Sequence, residues 1–274
     1  MTQSTSNSPA AAAAIPDLDQ LSLQSLFSLS GKTVLVTGAS SGMGQTLAYA
    51  AAQAGAKVIT VARRLDRLEA MAARVPSMVP MACDVSVEAS RKALVEKALG
   101  LGRVDVVVNT AGAVAGVTAA AEDETDSEMR YTIEVNLMAP FKFAQAFAPS
   151  MREAGGGSII NISSISGVVG IGRLPQASYS ASKAGLIGLT REMAMQWARW
   201  NIRVNAIAAG YFHSEITEPM YNYPKLAGWV RDHQPLKFDG MPADFAGTML
   251  LLASPAGRFI TGQTFNIDGG WTAQ

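Results

Sequence analysis

From Lys32 onward the chain alternates short apolar runs with stretches of helical periodicity, and this alternation constrains its fold more than any other feature. Runs that read as strands lie at 33–36, 57–61, 78–82, 104–108, 158–162, 202–207 and 264–267. Helical stretches lie between them at 43–54, 64–74, 87–99, 125–150, 177–200 and 242–253. Unbroken apolar runs mark strands covered on both faces, the pattern of a parallel sheet. The alternation therefore predicts an α/β fold, a single doubly wound parallel sheet with helices on both faces. No repeat is visible, and no Pro/Ser linker splits the chain after residue 30. The expected organisation is an N-terminal extension over 1–28 and one domain over 29–274. Residues 1–16 are Ser, Thr, Asn, Pro and an alanine run and are expected to be disordered. The spaced leucines of 17–29 suggest one or two docked helical turns.

Charge and composition remove several functions. The 22 Lys and Arg balance the 22 Asp and Glu, which argues against a broad phosphate-binding surface for nucleic acid. Two histidines and one cysteine are too few for a His/Cys zinc site, so no metal is expected. Cys83 has no partner for an intrachain disulfide, and no local signature pairs it with a histidine as a nucleophile. The uncharged stretch 154–172 is rich in Gly and Ser and reads as strand and loop, not as a membrane span. The first residues carry no basic start, no long apolar centre and no arginine, so a cytoplasmic protein is expected.

Between the first strand and the first helix stands Thr37-Gly38-Ala39-Ser40-Ser41-Gly42-Met43-Gly44. Glycines there let the backbone pass close to a pyrophosphate, and the helix N-terminus offers free N–H groups and positive dipole to it. The spacing is G-x-x-x-G-x-G rather than G-x-G-x-x-G, and a tight turn without a ligand is the plainer reading.

In this setting the sequence resembles the short-chain dehydrogenase/reductase family, in its single-domain Rossmann-type form, from about Leu29 to Gly270. The resemblance implies that Gly38, Ser40, Ser41, Gly42, Met43 and Gly44 hold the cofactor phosphates, and that Asp84 with Val85 meets the adenine. Asp84 would equally suit an N-cap for the helix at 87–99. Asn109-Thr110-Ala111-Gly112 resembles the motif ending the fourth strand, where Asn is commoner at the second position, and implies Asn109, Ala111 and Gly112 as cofactor contacts.

The end of the second strand speaks to the choice of dinucleotide. An NAD site places an acid there for the ribose 2′-OH. This chain reads Val61-Ala62-Arg63-Arg64, and Asp66 falls in the next helix. Arg63 and Arg64 offer bidentate donors to a 2′-phosphate, so NADP(H) is expected, with NAD(H) the alternative.

Tyr179 and Lys183 are four residues apart on a predicted helix, which puts their Cβ atoms about 5–6 Å apart on one face. Tyrosine titrates near pH 10, and bringing it to about 7 takes about 4 kcal/mol. A neighbouring ammonium and an oxidised nicotinamide both favour tyrosinate. Tyr221 and Lys225 share the spacing, but Pro224 argues against a helix there. The family resemblance adds Ser164 to orient the substrate oxygen and Asn136 to organise a proton path to Lys183, which would also bind the ribose as Tyr179 faces the nicotinamide. The gap from Ser164 to Tyr179 is slightly longer than usual in the family, and Ser166 stays a minor candidate. Pro140 lacks the N–H that would bond the carbonyl of residue 136, which predicts a kink and a carbonyl free for a relaying water.

Asn205-Ala206-Ile207-Ala208-Ala209-Gly210 resembles the family segment after the sixth strand, with Ala209 in place of proline. Gly210, Phe212 and Ser214 would then lie at the nicotinamide. The aromatic stretch 211–238 suits a lid over an apolar ketone or secondary alcohol, or plain packing. The expected activity is an NADP(H)-dependent carbonyl reductase or alcohol dehydrogenase. The alternatives are NAD(H)-linked oxidation of a sugar, polyol or steroid alcohol and, more distantly, a non-catalytic dinucleotide sensor. Only 16% of residues are charged, and the helices at 131–151 and 177–200 lack a broad charged face. They are expected to pack on copies of themselves, and the resemblance implies a homotetramer or at least a dimer.

Overall fold

The protein is described by a computed structural model covering residues 21–114, 120–215 and 217–273. The tail at 1–16 and the start of the leucine stretch lie outside the described residues. Seven strands run parallel: β1 Thr33–Thr37, β2 Lys57–Ala62, β3 Met78–Ala82, β4 Val106–Asn109, β5 Gly157–Ser164, β6 Ile202–Ala209 and β7 Thr264–Ile267. Their order across the sheet is β3-β2-β1-β4-β5-β6-β7. The helices are α1 Leu23–Phe27, α2 Gly42–Gln53, α3 Leu65–Arg74, α4 Glu88–Gly100, α5 Asp126–Ile133, α6 Ala139–Glu153, α7 Ala177–Trp197, α8 Glu218–Tyr221, α9 Pro224–His233 and α10 Ala246–Ala253.

Period-two alternation splits each apolar strand between two cores. Val34, Val36, Val58, Ile160 and Ile207 face one side, where Leu47 of α2, Leu68 of α3 and Met249 of α10 cover them. Leu35, Ile59, Val107, Ile159 and Val204 face the other, under Leu94 of α4, Phe143 and Phe147 of α6 and Met193 of α7. Full burial of each such side chain stabilises by about 1.5–3 kcal/mol. The doubly wound sheet is thus the direct product of strands that are apolar on both faces.

Three local expectations need correction. The stretch 125–150 is not one helix. A Thr125–Glu128 capping box starts α5, and a π-helical turn at Glu134–Met138 separates it from α6, with Ala139 N–H bonded to the Glu134 carbonyl. Pro140 sits in the first turn of α6 and has no N–H to close a bond to residue 136, so the expected kink is resolved as a π-turn. Second, β4 begins at Val106 rather than 104. Asp105 just before it turns its carboxylate to the Thr33 amide (2.9 Å), Arg103 (2.8 Å) and Lys32 (3.3 Å). Third, Pro224 does not exclude a helix; it opens α9 as its first residue, where the missing N–H is harmless. Tyr221 ends α8, so Tyr221 and Lys225 still lie on different helices.

The chain leaves β1 in one direction to build β2 and β3, then returns to add β4 on the other side. This reversal opens a crevice beyond the carboxyl ends of β1 and β4, where open α/β sheets bind ligands.

Candidate active site

A cleft of ≈ 1110 Å3 occupies that crevice. Its floor is the turn from Gly38 to Gly44, with Ser40, Ser41, Gly42 and Met43 on the wall. Gly38 has φ +69°, and a Cβ there would meet the Ala111 backbone at 2.9 Å. A Cβ on Gly44 would stand 2.3 Å from the Gly38 carbonyl oxygen. Only glycine lets the turn, the first helical residues and the end of β4 approach so closely. Ser41 is the N-cap of α2, yet its side chain makes no capping bond. The free N–H groups of α2 therefore open on the cleft without a competing side chain, a fit for phosphate oxygens.

Arg63 and Arg64 stand at the end of β2 on the same cleft, across from Asp84 and Val85. Arg63 is exposed. Arg64 is already engaged: its guanidinium donates to Ser40 Oγ through Nε (3.3 Å) and to Ser41 Oγ through Nη2 (2.9 Å), and it is ion-paired with the Glu215 carboxylate (2.9 Å). Asp84 is not the N-cap of α4, a position held by Val87. Its Oδ1 instead accepts from the Ser86 amide (2.9 Å) and hydroxyl (2.7 Å). Burial raises its pKa, but these bonds and the nearby Arg63 charge outweigh it and leave the carboxyl below its usual range.

Ala111, Gly112 and Thr110 border the cleft, but Asn109 does not. Asn109 Nδ2 donates to Asn161 Oδ1 (2.9 Å), and Asn161 Nδ2 donates to Thr190 Oγ1 (2.9 Å). This buried chain ties β4 to β5 and α7, so the Asn109 side chain is scaffold, with one oxygen left unpartnered. Thr110 Oγ1, at the cleft, is also buried without a partner.

Behind Gly112 of the cleft, α7 brings Tyr179 and Lys183 to the end of β5; a Cβ on Gly112 would meet Lys183 Nζ at 3.7 Å. Ser163 Oγ donates to the Lys183 carbonyl (2.9 Å), which fixes the helix against the strand. The Ser164 hydroxyl, which accepts from the Ser166 amide (3.1 Å), lies beside the Tyr179 phenol and lowers its pKa. Ser166 is engaged by Gln176 Nε2 (3.1 Å) instead. Lys183 is 4% exposed and its Nζ donates to the Ile162 carbonyl (2.8 Å). That nitrogen lies 5.5 Å from the centre of the Tyr179 ring. Burial raises the Tyr179 pKa and Ser164 only partly offsets it. Burial also lowers the Lys183 ammonium to about 8. Burial thus opposes the depression that the ammonium and an oxidised nicotinamide together would bring about.

Asn136 lies in the π-turn. Its Oδ1 accepts from the Ala113 amide (2.8 Å), and its Nδ2 donates to the Ala113 carbonyl (2.9 Å) and Ser182 Oγ (3.1 Å). The side chain thus joins the loop after β4 to α7 beside Lys183. The π-turn is what reaches this geometry, and the sequence signalled it only through Pro140.

The segment after β6 departs furthest from expectation. Gly210 donates to the Ile267 carbonyl (2.9 Å) against the end of β7, and neither it nor Phe212 borders the cleft. Phe212 is 5% exposed and packs on Phe245 with ring centres 4.3 Å apart, so its side chain belongs to the core. Ser214 does border the cleft. The stretch 211–238 contains two helices, α8 and α9, and its aromatics pack on one another: Tyr211 lies 5.0 Å from Trp271 and 6.5 Å from Trp229. The Tyr211 hydroxyl is buried without a partner, and burial, with Tyr179 and Tyr221 nearby, pushes its pKa up. Sequence reading missed Trp271, which closes this cluster, and Glu215, which binds both Arg64 and Arg67. Neither has a local signal, because each meets partners far away in the chain.

Among the described residues no three His, Cys, Asp or Glu side chains converge as metal ligands, and no helix is long and apolar enough to cross a membrane. A glycine-lined phosphate cradle at the switch point, joined to a Ser–Tyr–Lys cluster, defines a dinucleotide-dependent oxidoreductase fold and site. A family model described as enoyl-(acyl carrier protein) reductase matches residues 38–272. The 2-dehydro-3-deoxy-D-gluconate 5-dehydrogenase of Escherichia coli K12 is 35% identical over 254 residues, 91% of this chain and 99% of that protein. The 3-oxoacyl-[acyl-carrier-protein] reductase FabG of Thermotoga maritima is 38% identical, over 88% of this chain and 98% of that protein. A gluconate 5-dehydrogenase from Burkholderia cenocepacia J2315, solved with NADP and tartrate, superimposes with a TM-score of 0.86 at 31% identity, covering 92% of this chain and 99% of that one. The chain belongs to the short-chain dehydrogenase/reductase family, and it is an oxidoreductase of alcohol and carbonyl groups.

Proposed function

We propose that the protein is an NADP(H)-dependent dehydrogenase/reductase that interconverts a secondary alcohol and a ketone on a small substrate carrying further hydroxyl groups. The observation that carries it is the Ser164–Tyr179–Lys183 cluster lying behind Gly112, a residue of the cleft that also holds Arg63 and Arg64: a Cβ on Gly112 would meet Lys183 Nζ at 3.7 Å. A bound nicotinamide would supply or accept the hydride. Tyr179 gives a proton to the substrate oxygen in reduction and takes it back in oxidation, and Ser164 orients that oxygen. Lys183, with protons left beyond its bond to Ile162, holds the ribose and supports tyrosinate by its charge. Asn136 holds the loop after β4 against α7, and the carbonyl freed at the π-turn carries the proton path toward Lys183.

Arginines rather than an acid at the end of β2 support the phosphorylated dinucleotide. Relatives named for NADP-bound gluconate dehydrogenases support the same choice, and with it a sugar-derived substrate. The unpartnered Tyr211 hydroxyl among aromatic rings suits a hydroxylated substrate with one apolar face, which narrows the apolar substrate expected from sequence. Turnover of NADPH and NADH with a panel of keto-sugars and simple ketones tests the reading. Arg63→Asp is expected to raise the KM for NADPH at least about tenfold, the loss of a charge-assisted bidentate contact of about 1.5–3 kcal/mol, and to spare NADH. Equal loss with both nucleotides would remove the NADP(H) assignment.

The exposed face of α7 carries Ala181, Ala184, Gly188 and Met195, the last 78% exposed. Such a face supports assembly into a homotetramer or dimer, acting in the cytoplasm where the dinucleotide pool would serve it. Light scattering at micromolar concentration is expected to give at least twice the 28.7 kDa chain mass; a monomer would contradict the assembly.

A further inference from the structure

The segment after β6 reaches back over the phosphate turn. Ser214 lies against Gly42, whose Cβ, if it had one, would meet Ser214 Cβ at 3.3 Å. The next residue, Glu215, places one carboxylate oxygen 2.9 Å from Arg64 and the other on Arg67, one turn further along α3. Arg64 is held at the same time by Ser40 and Ser41 of the phosphate turn. These two arginines hold the Glu215 carboxyl down to about 2, so it stays ionised at every working pH. An internal anion therefore occupies the cationic corner at the end of β2. Arg63, exposed beside it, carries the remaining guanidinium of that corner.

We infer that Glu215 is a specificity-determining residue for the nucleotide: its carboxylate competes with a 2′-phosphate for Arg64, and binding of the phosphate displaces it. The inference rests on the NADP(H) reading above. Glu215 already holds the Arg64 Nη2 that faces the phosphate turn, so a phosphate that takes this nitrogen must displace the carboxylate from it. A nucleotide with a free 2′-OH brings no such charge and leaves the pair intact. Glu215 therefore lowers the affinity for the phosphorylated nucleotide alone and narrows the preference that Arg63 and Arg64 create. Displacement also cuts the ties of the 211–215 segment to α3.

The test is calorimetric titration of the full chain at low ionic strength with 2′,5′-ADP and with ADP, for the wild type and Glu215→Gln. Exposed ion pairs are weak and screened by salt. Glu215→Gln is expected to tighten 2′,5′-ADP about fivefold, the scale of one lost exposed competitor, and to leave ADP unchanged. In the wild type, saturating 2′,5′-ADP, but not ADP, is expected to speed amide exchange at 211–215, and the variant should exchange fast without nucleotide. If the wild type prefers 2′,5′-ADP but Glu215→Gln leaves that preference unchanged or weakens it, the competition is overturned and the NADP(H) reading stands. If neither protein distinguishes the two nucleotides, the NADP(H) reading falls and the proposal with it.

Discussion

Tyr179→Phe loses about 100- to 10,000-fold in turnover and still binds the nucleotide. The substitution removes one oxygen and keeps the ring that packs beside Lys183, whose nitrogen lies 5.5 Å from its centre. A positioned general acid contributes about 10²–10⁴-fold, and Tyr179 is the titratable group beside Ser164. His213, the nearest histidine in sequence, is stacked on Tyr221 with ring centres 3.7 Å apart and faces Asp239 at 3.6 Å, so it is not placed to substitute. Steady-state rates give the loss, and nucleotide fluorescence titration separates it from binding. Retention of about a tenth of the wild-type rate would assign the proton to another group. A parallel loss of nucleotide affinity would make Tyr179 a packing residue.

The second large effect falls at Gly44. A valine there puts its Cβ 2.3 Å from the Gly38 carbonyl oxygen and 3.2 Å from the Ala39 Cα, and both of these belong to the phosphate turn. The turn must shift, because backbone cannot rotate aside as a long side chain would. Overpacking of this kind costs about 1–3 kcal/mol. Most of it falls on the turn that would meet the phosphates, so the nucleotide Kd should rise about 10- to 100-fold. The Tm should fall by a few degrees, as about 2–4 °C accompanies each kcal/mol in a domain of this size. Gly100, at the end of α4, has open space around its Cβ position, and Gly100→Ala should change neither quantity. Unchanged nucleotide affinity in Gly44→Val would mean that the turn does not cradle the phosphates.

Both effects concern residues that were legible in the sequence, and for the same reason: their signals are local. A glycine turn between strand and helix, and two side chains four residues apart, are fixed by the geometry of a single element. The inner strands were also legible, because strands buried on both faces read as unbroken apolar runs, and the edge strands β3 and β7 followed from the alternation with helices. Legibility ended where an outcome depended on competing partners. Pro140 marked a missing N–H, but only the contacts of Asn136 with Ala113 and Ser182 show that the chain answered with a π-turn. Asn109 carries the family pattern, yet Asn161 and Thr190 claim its side chain for the scaffold. Phe212 stands near the nicotinamide segment in sequence, and Phe245 draws it into the core.

The sequence by itself determined the doubly wound sheet, the place of the crevice and the chemistry of the Tyr179–Lys183 pair, since each follows from periodicity or short spacing. Tertiary structure alone decided the electrostatics. Burial raises the Tyr179 pKa and brings the Lys183 ammonium down to about 8, which works against the charges of the ammonium and an oxidised nicotinamide. It also decided that Arg64 meets an acid after all. Ala62 stands where an acid was sought along the chain, and the carboxylate comes instead from Glu215, more than a hundred residues later. Desolvation and long-range ion pairing depend on what the fold brings to a point in space, and no local pattern encodes that.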